Sequence, residues 1–201
     1  GTERVPDPAK PGQTVDRPVR LAIDIVFQKP MQQRQTLRSD KVERTTALDD
    51  YDGWEKITDR TGANQPRLVL MDANGIKRLR ATTWDNLGFF RGYEKHGGSA
   101  QLLGDATVDG KLCDKVAFTY SGGITFTRFF DKSNGRLVKS ELGNGLEIRE
   151  EGEIVVDGVR FPRRLVQRAP GAADTIVTFE KVTVNAGLPA SEFAMPSMMI
   201  R

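Results

Sequence analysis

Cysteine and histidine are almost absent from this chain of 201 residues. Cys113 is the only cysteine and His96 the only histidine. One cysteine cannot close an internal disulfide, and a zinc site built on two histidines is excluded as well. Phosphate-binding loops, dinucleotide fingerprints and nucleophile-elbow motifs are also missing from the sequence. These absences predict a protein that is not an enzyme and that carries no metal or other cofactor.

Long apolar runs and charge of one sign are missing too. No stretch of 18 apolar residues occurs, so no transmembrane segment is predicted in this chain. The 30 Lys and Arg residues are interspersed with 27 Asp and Glu residues, for a net charge of +3. A nucleic-acid-binding protein usually concentrates basic residues on one face. Mixed charge of this kind is typical of a solvated surface, and nucleic acid is not an expected partner.

Residues 1–18 differ in composition from the rest. They hold four of the ten prolines and few apolar residues, a pattern that predicts an extended Pro-rich tether. The chain opens on Gly1-Thr2 rather than on Met, and this favours the loss of an N-terminal signal peptide or acyl anchor. Residues 19–201 are expected to form a single domain.

That domain reads as mostly β. Leu21, Ile23, Ile25 and Phe27 alternate with the residues between them, a period of two that predicts a strand with one buried face. Further strands are predicted, among them Gln35–Leu48 and Leu146–Val156. Short turns separate the strands, such as Asn134-Gly135, where the Asn-Gly pair favours a tight hairpin. Strands at this near-regular spacing predict an antiparallel meander.

One region has a helical period instead. Asp72 is a suitable N-cap, and the apolar residues that follow recur at three- and four-residue steps: Ile76, Leu79, Thr83, Trp84 and Leu87. Phe89, Phe90 and Tyr93 extend this pattern, so the helix is predicted over roughly residues 73–95. The fold class is therefore α+β, dominated by one curved antiparallel sheet with a single helix.

Two clusters of acidic residues suggest an alternative function, that of an enzyme. Glu151 and Glu153 would share one face of a strand, as the two carboxylates of a glycosidase do, and Asp49-Asp50-Tyr51-Asp52-Gly53 resembles half of a calcium loop. A solvated strand face and an Asp-rich turn explain these clusters more simply. A carboxylate-based hydrolase is thus a minor alternative.

Several short sequence segments, taken in their order along the chain, resemble those of a known family. These are Tyr51-Asp52-Gly53-Trp54, Leu103-Gly104-Asp105 with Val108-Asp109-Gly110-Lys111, Phe129-Phe130-Asp131 through Arg136-Leu137, Gly158-Val159-Arg160-Phe161-Pro162, Val182-Thr183-Val184-Asn185 and Phe193-Ala194-Met195-Pro196. Their order is similar to that of outer-membrane lipoprotein-sorting proteins of the LolA/LolB-like superfamily, over residues 19–196. The long N-terminal helix usual in that family is absent.

The resemblance implies an unclosed half-barrel wrapped around a helical lid, with an apolar cavity for lipid or lipoprotein acyl chains. It also implies a periplasmic or outer-membrane-associated location in a Gram-negative bacterium, with a possible envelope protein partner. Strand and helix phase predict the cavity residues: Leu21, Ile23, Ile25, Phe27, Trp84, Phe89, Phe90, Val116, Phe118 and Phe126. Periodicity alone favours an ordinary core at these positions, so a structural or interaction module with a filled core stays open.

Overall fold

A computed structural model describes residues 2–6, 9–10, 14–18 and 20–197. Within these residues the chain forms sixteen strands and one α-helix. The strands are β1 (Thr2–Pro6), β2 (Thr14–Pro18), β3 (Ala22–Gln28), β4 (Gln32–Arg38), β5 (Val42–Asp49), β6 (Asp52–Asp59), β7 (Arg67–Leu70), β8 (Ser99–Val108), β9 (Lys111–Tyr120), β10 (Ile124–Asp131), β11 (Leu137–Leu142), β12 (Glu147–Glu151), β13 (Ile154–Val156), β14 (Val159–Phe161), β15 (Arg164–Arg168) and β16 (Thr175–Thr178). The helix α1 spans Ala73–Gly88, and 3₁₀ turns span Tyr93–His96 and Ala190–Glu192.

All strand pairings in the described residues are antiparallel. The strands form a five-stranded sheet in the order β3-β4-β5-β6-β7, a seven-stranded sheet in the order β16-β15-β12-β11-β10-β9-β8, and two isolated hairpins. Neither strand order returns on itself, so both sheets stay open. The predicted class, mostly antiparallel β that does not close and with one helix, is confirmed.

The chain divides into two compact units. The five-stranded unit comprises Val19–Tyr93 and Gly187–Arg201, and the seven-stranded unit comprises Gly1–Pro18 and Glu94–Ala186. A single domain over residues 19–201 therefore stays a prediction. The expected tether contains a pair of strands, β1 and β2, in which Pro18 and Pro6 stand at the two ends of the paired register.

The five-stranded sheet has a covering element on each face. On one face α1 packs over β3, β5 and β6. On the other, the 3₁₀ turn near the C-terminus brings the fully buried Phe193 to Trp54, whose indole Nε1 donates to the Phe193 carbonyl oxygen at 2.9 Å. This sheet is thus the middle layer of a three-layer unit.

The predicted start of the helix is confirmed, and its predicted end is wrong. Asp72 is the N-cap, and its Oδ1 accepts from the Gly75 backbone N–H at 2.7 Å. The helix ends at Gly88 rather than near residue 95, because Phe89 and Phe90 both adopt left-handed backbone conformations, with φ of 48° and 62°. Their apolar side chains continued the sequence pattern beyond the true end.

Two long strands expected from the sequence are interrupted. The strand predicted over Gln35–Leu48 is two strands, β4 and β5, because the Ser39 side chain accepts from the backbone N–H of Val42 at 2.9 Å and closes a turn. The strand predicted over Leu146–Val156 ends at Glu151, where Gly152 has a φ of 66°. That break separates β12 from the isolated β13–β14 hairpin.

Candidate ligand-binding surfaces

The helix-facing side of the five-stranded sheet is identified by two contacts. The Thr83 hydroxyl of α1 lies 2.9 Å from Oε1 of Gln33 on β4, both buried. At the other end of the helix, Ile76 and Met71 approach Gly53 on β6 so closely that a Cβ there would lie 3.0 Å from the Ile76 side chain. The face that carries Gln33 therefore lies under the helix.

Strand β3 places three of the predicted cavity residues on this same face. Phe27 lies opposite Gln33 in the antiparallel register, and Ile25 and Ile23 follow on the same side by alternation. Phe27 and Ile23 are half-buried, but Ile25 and the preceding Leu21 each keep 40% of their surface exposed. An apolar strip of Ile23, Ile25 and Phe27 thus extends along β3, with Leu21 just before the strand and part of the apolar surface exposed.

The predicted lid residues lie on and just beyond the helix. Trp84 is half-buried on α1, and Phe90 is half-buried after it. Phe89 is 55% exposed. Two adjacent phenylalanines with positive φ are uncommon, and each such position costs of order 1–3 kcal/mol. The helix therefore ends in a strained aromatic pair of which one ring is open to solvent.

The remaining three predicted residues lie together in the seven-stranded unit. Phe118 on β9 and Phe126 on β10 are opposite each other in the register, and Val116 is on the same face. Phe118 and Phe126 are each only 6% exposed, while Val116 is half-buried. Two of these side chains are therefore core residues, as the plainer interpretation of the sequence expected.

Arg128 on the same face was missed by the sequence analysis. It lies opposite Val116, is 7% exposed, and its guanidinium is 5.2 Å from the centre of the Phe126 ring. A cation over an aromatic ring is stabilised by the charge distribution of the ring. The signal was present, since Arg128 stands at an inward position of the run Phe126-Thr127-Arg128-Phe129-Phe130.

A polar cleft of about 530 Å³ lies in the seven-stranded unit. It is bounded by the β10–β11 loop, the ends of β11 and β12, and the β13–β14 hairpin. The charged side chains that line it are Lys111, Asp131, Arg136, Glu150, Glu153 and Arg160, and its apolar ones are Leu137, Val138, Phe161 and Pro162. None of the ten predicted cavity residues lines this cleft.

The carboxylates proposed for a hydrolase are engaged in ion pairs. Glu151 lies 3.1 Å from Arg164, and Glu153 contacts Arg136 and Arg160. Because Gly152 breaks the strand between them, Glu151 and Glu153 do not share one strand face as predicted.

The Asp-rich segment after β5 forms a hairpin turn. Asp49 accepts from Gln32 Nε2 at 2.8 Å, and Arg80 pairs with Asp50 while its guanidinium lies 3.8 Å from the Tyr51 ring centre. Across the part of the chain that the structure describes, no three His, Cys, Asp or Glu side chains are grouped as metal ligands would be. The segment therefore has the structural role of a turn.

Three solved chains are similar to this one. The first is a DUF1329 family protein from Desulfovibrio piger, with a TM-score of 0.55 and 11% identity over 91% of this chain and 84% of that one. The others are an outer membrane lipoprotein-sorting protein domain from Vibrio parahaemolyticus (TM-score 0.45, 11% identity, 81% and 80% covered) and a LolA superfamily protein from Nitrosomonas europaea (TM-score 0.48, 15% identity, 88% and 89% covered). The TM-score of 0.55 shows that this chain shares the fold of the DUF1329 family protein.

At identities of 11–15% the similarity shows a shared fold alone. One fold can serve many unrelated functions. No family model and no curated protein matches the sequence. Among the described residues, no helix has both the length and the apolar character needed to cross a membrane.

Asp131, beside the polar cleft, provides a test of the loop that borders it. Its carboxylate accepts from the Ser133 hydroxyl at 2.6 Å, from the Ser133 backbone N–H at 2.9 Å and from Asn134 at 3.2 Å. These hydrogen bonds, the Ser133 hydroxyl first, hold the pKa of Asp131 below its ordinary value of 3.8. A lowered pKa in the folded state means that the ionised carboxylate contributes stability above about pH 4, which is lost as the pH falls through the folded pKa.

Replacing Asp131 by asparagine is therefore expected to lower the melting temperature at pH 7. The gap between the wild type and Asp131→Asn should narrow steadily as the pH is lowered below 4, because the wild-type carboxyl then becomes protonated as well. Thermal unfolding followed by circular dichroism across pH 3–7 measures this. An equal gap at every pH would contradict the assigned role of the charge.

Proposed function

We propose that this protein binds an apolar ligand, a lipid or acyl chain, in the bacterial envelope, without catalysing a reaction on it. The observation that supports this most is the apolar strip along β3, where Ile25 is 40% exposed on the face on which α1 packs, and Leu21, just before the strand, is exposed to the same extent. Small-molecule sites in proteins are lined predominantly by apolar side chains, and partly exposed apolar surface beside a packed helix offers such a lining.

The energetics favour a hydrocarbon ligand at this strip. Burying an aliphatic side chain fully is worth about 1.5–3 kcal/mol, so an acyl chain laid along several such residues gains most of its affinity from apolar contact. The strained Phe89–Phe90 pair at the end of the same helix adds a ring that is 55% exposed. Strain of this kind is concentrated at ligand clamps and movable segments.

The context that we propose is lipoprotein or lipid handling at the periplasmic side of the outer membrane of a Gram-negative bacterium. This context is supported by the sequence segments that resemble the LolA/LolB-like superfamily. The proposal includes an envelope protein as a further partner. A signal peptide or acyl anchor belongs to the same proposal.

A second candidate is a structural or interaction module with a filled core. The nearly complete burial of Phe118 and Phe126 favours it, since residues that were predicted to line a cavity are packed. The two candidates differ in whether the purified protein takes up a hydrocarbon chain.

Native mass spectrometry of the intact protein, followed by organic extraction, tests the proposal directly. A carrier is expected to retain a co-purified lipid or to take up an added fluorescent fatty acid. Failure to recover any lipid, combined with no uptake of the fatty acid, would favour the filled module instead.

The strip itself is tested by Ile25→Asp. A charge there removes the apolar contact and must be desolvated when a chain binds, so affinity for the fluorescent fatty acid is expected to fall roughly tenfold or more. Val155→Asp is the matched control, because Val155 is also an exposed β-branched strand residue, at 56%, but lies on β13 in the other unit. Equal fatty-acid affinity in Ile25→Asp and Val155→Asp would remove the strip from the binding site.

A further inference from the structure

The polar cleft has a charged rim that the proposed function does not use. Arg136 comes from the β10–β11 loop and Arg160 from the β13–β14 hairpin. Both reach the same carboxylate oxygen, Glu153 Oε2, at 3.5 Å and 3.4 Å. One glutamate thus links two segments that are more than twenty residues apart in sequence across the edge of the cleft.

The contacts of the two guanidinium groups with Glu153 are long. Charge-assisted N–H···O bonds are normally 2.7–2.9 Å long, and both contacts here are longer. Both arginine side chains are also 61% exposed. Each guanidinium has five donors in a planar fork, so most of the donors at this rim are available to a ligand.

The local charge at the rim is positive. Arg136 and Arg160 contribute two positive charges, and Glu153 offsets one. Elsewhere in the cleft, Lys111 lies 4.0 Å from Asp131 and offsets its charge, and Glu150 is the remaining acid, so the surplus positive charge is confined to the rim. Two guanidiniums that meet at one carboxylate oxygen, with one positive charge in surplus among the three groups, are suited to bind a further oxyanion.

We propose that Arg136 and Arg160 bind an oxyanion, a phosphate or carboxylate group, at the rim of this cleft. The group either is a free anion or is the head of an amphiphilic molecule, and it bridges the two guanidiniums in competition with Glu153. The walls beneath the rim include Leu137, Val138, Phe161 and Pro162, which supply apolar surface for whatever the anion carries.

Glu150 lines the same cleft and is compatible with an anionic ligand. Desolvation raises the pKa of its carboxyl above the ordinary 4.5 and Arg128 acts in the opposite direction, although the residue as a whole is exposed. A raised pKa means that this carboxyl reaches its neutral form, which repels an anion less, at a higher pH than an ordinary glutamate does.

Isothermal titration calorimetry of the full chain at low ionic strength tests the proposal, with inorganic phosphate in one arm and hexyl phosphate in the other. Binding of both with equal affinity supports a site for the free anion. Tighter binding of hexyl phosphate supports an amphiphile whose tail uses the apolar walls. Absence of binding in both arms would overturn the proposal.

Variants with opposite expected effects make the assignment specific. Arg136→Gln and Arg160→Gln should each weaken binding roughly tenfold, because each removes a hydrogen bond to a charged group. Glu153→Gln should strengthen it, roughly threefold, because the competing carboxylate is gone. Arg67→Gln on β7, an exposed arginine of the other unit, is the control and should bind as the wild type does.

A purely structural role for the Arg136–Glu153–Arg160 group predicts a different pattern. Glu153→Gln would then lower the melting temperature without strengthening phosphate binding, and this outcome would overturn the proposal. Because the readout is phosphate affinity, failure here leaves the apolar-ligand proposal, which is measured with a fatty acid, intact.

Discussion

Replacing Phe193 by alanine is expected to destabilise the five-stranded unit by about 3–5 kcal/mol, a large share of the 5–15 kcal/mol that stabilises a typical domain. The Phe193 side chain is fully buried against the face of the sheet opposite α1, and its carbonyl accepts the Trp54 indole hydrogen bond at 2.9 Å. Removing the ring leaves a cavity and loosens the segment that carries this acceptor.

Urea denaturation followed by tryptophan fluorescence measures this effect selectively. The two tryptophans of the chain, Trp54 and Trp84, both belong to the five-stranded unit. Met195→Ala, two residues further on, is the control, because Met195 is 52% exposed and its truncation should cost less than about 0.5 kcal/mol. Equal destabilisation by Phe193→Ala and Met195→Ala would show that the segment is not docked as described.

Replacing Phe129 by alanine is expected to cost about 3–5 kcal/mol as well, in the seven-stranded unit. Phe129 is 3% exposed and packs in a cluster with Val108 and Cys113. The ammonium of Lys139 lies 4.2 Å from the centre of its ring, so truncation also removes a cation–π contact from a side chain that is itself largely buried.

Cys113 provides a direct readout of this cluster. It is the only cysteine and is fully buried, so in the wild type its thiol should react slowly with a thiol reagent under native conditions. In Phe129→Ala the reaction should be many times faster, because the cavity and the lower stability both open access to the sulfur. Leu112→Ala is the control, because Leu112 is next to Cys113 on β9 but is 53% exposed. Thiol reactivity in Phe129→Ala that matches Leu112→Ala would contradict the cluster.

Local chemistry in the sequence predicted several features that the structure confirms. The Asp72 cap begins the helix because a carboxylate oxygen satisfies a free backbone N–H. The Asn134-Gly135 turn joins β10 and β11 because Gly135 adopts a φ of 69° at no steric cost. Both features depend only on residues within a few positions of one another.

Features that depend on distant partners were predicted less well. The helix ends at Gly88 although the apolar spacing continues to Tyr93, and β12 ends at Glu151 although the strand-like pattern continues to Val156. Periodicity shows which residues of a segment are apolar. The backbone conformation at Phe89 and Gly152 also depends on how the neighbouring segments pack against them.

The candidate site shows the same division at the level of single side chains. The alternation of apolar residues along the strands predicted that both Ile25 and Phe118 point inward. In the structure Ile25 is 40% exposed and Phe118 is 6% exposed. The rim formed by Arg136 and Arg160 had no sequence signal, because the two arginines converge only through the packing of a loop and a hairpin.

The sequence by itself determined that this chain is an antiparallel β protein with one helix and that it lacks a disulfide framework. Those properties follow from composition, period and short-range turn and cap chemistry. Only the tertiary structure decided which apolar faces are packed and which stay open, and which charges meet. Burial and ion pairing depend on strand register and on the elements laid over each sheet, and these join residues that are far apart in the chain.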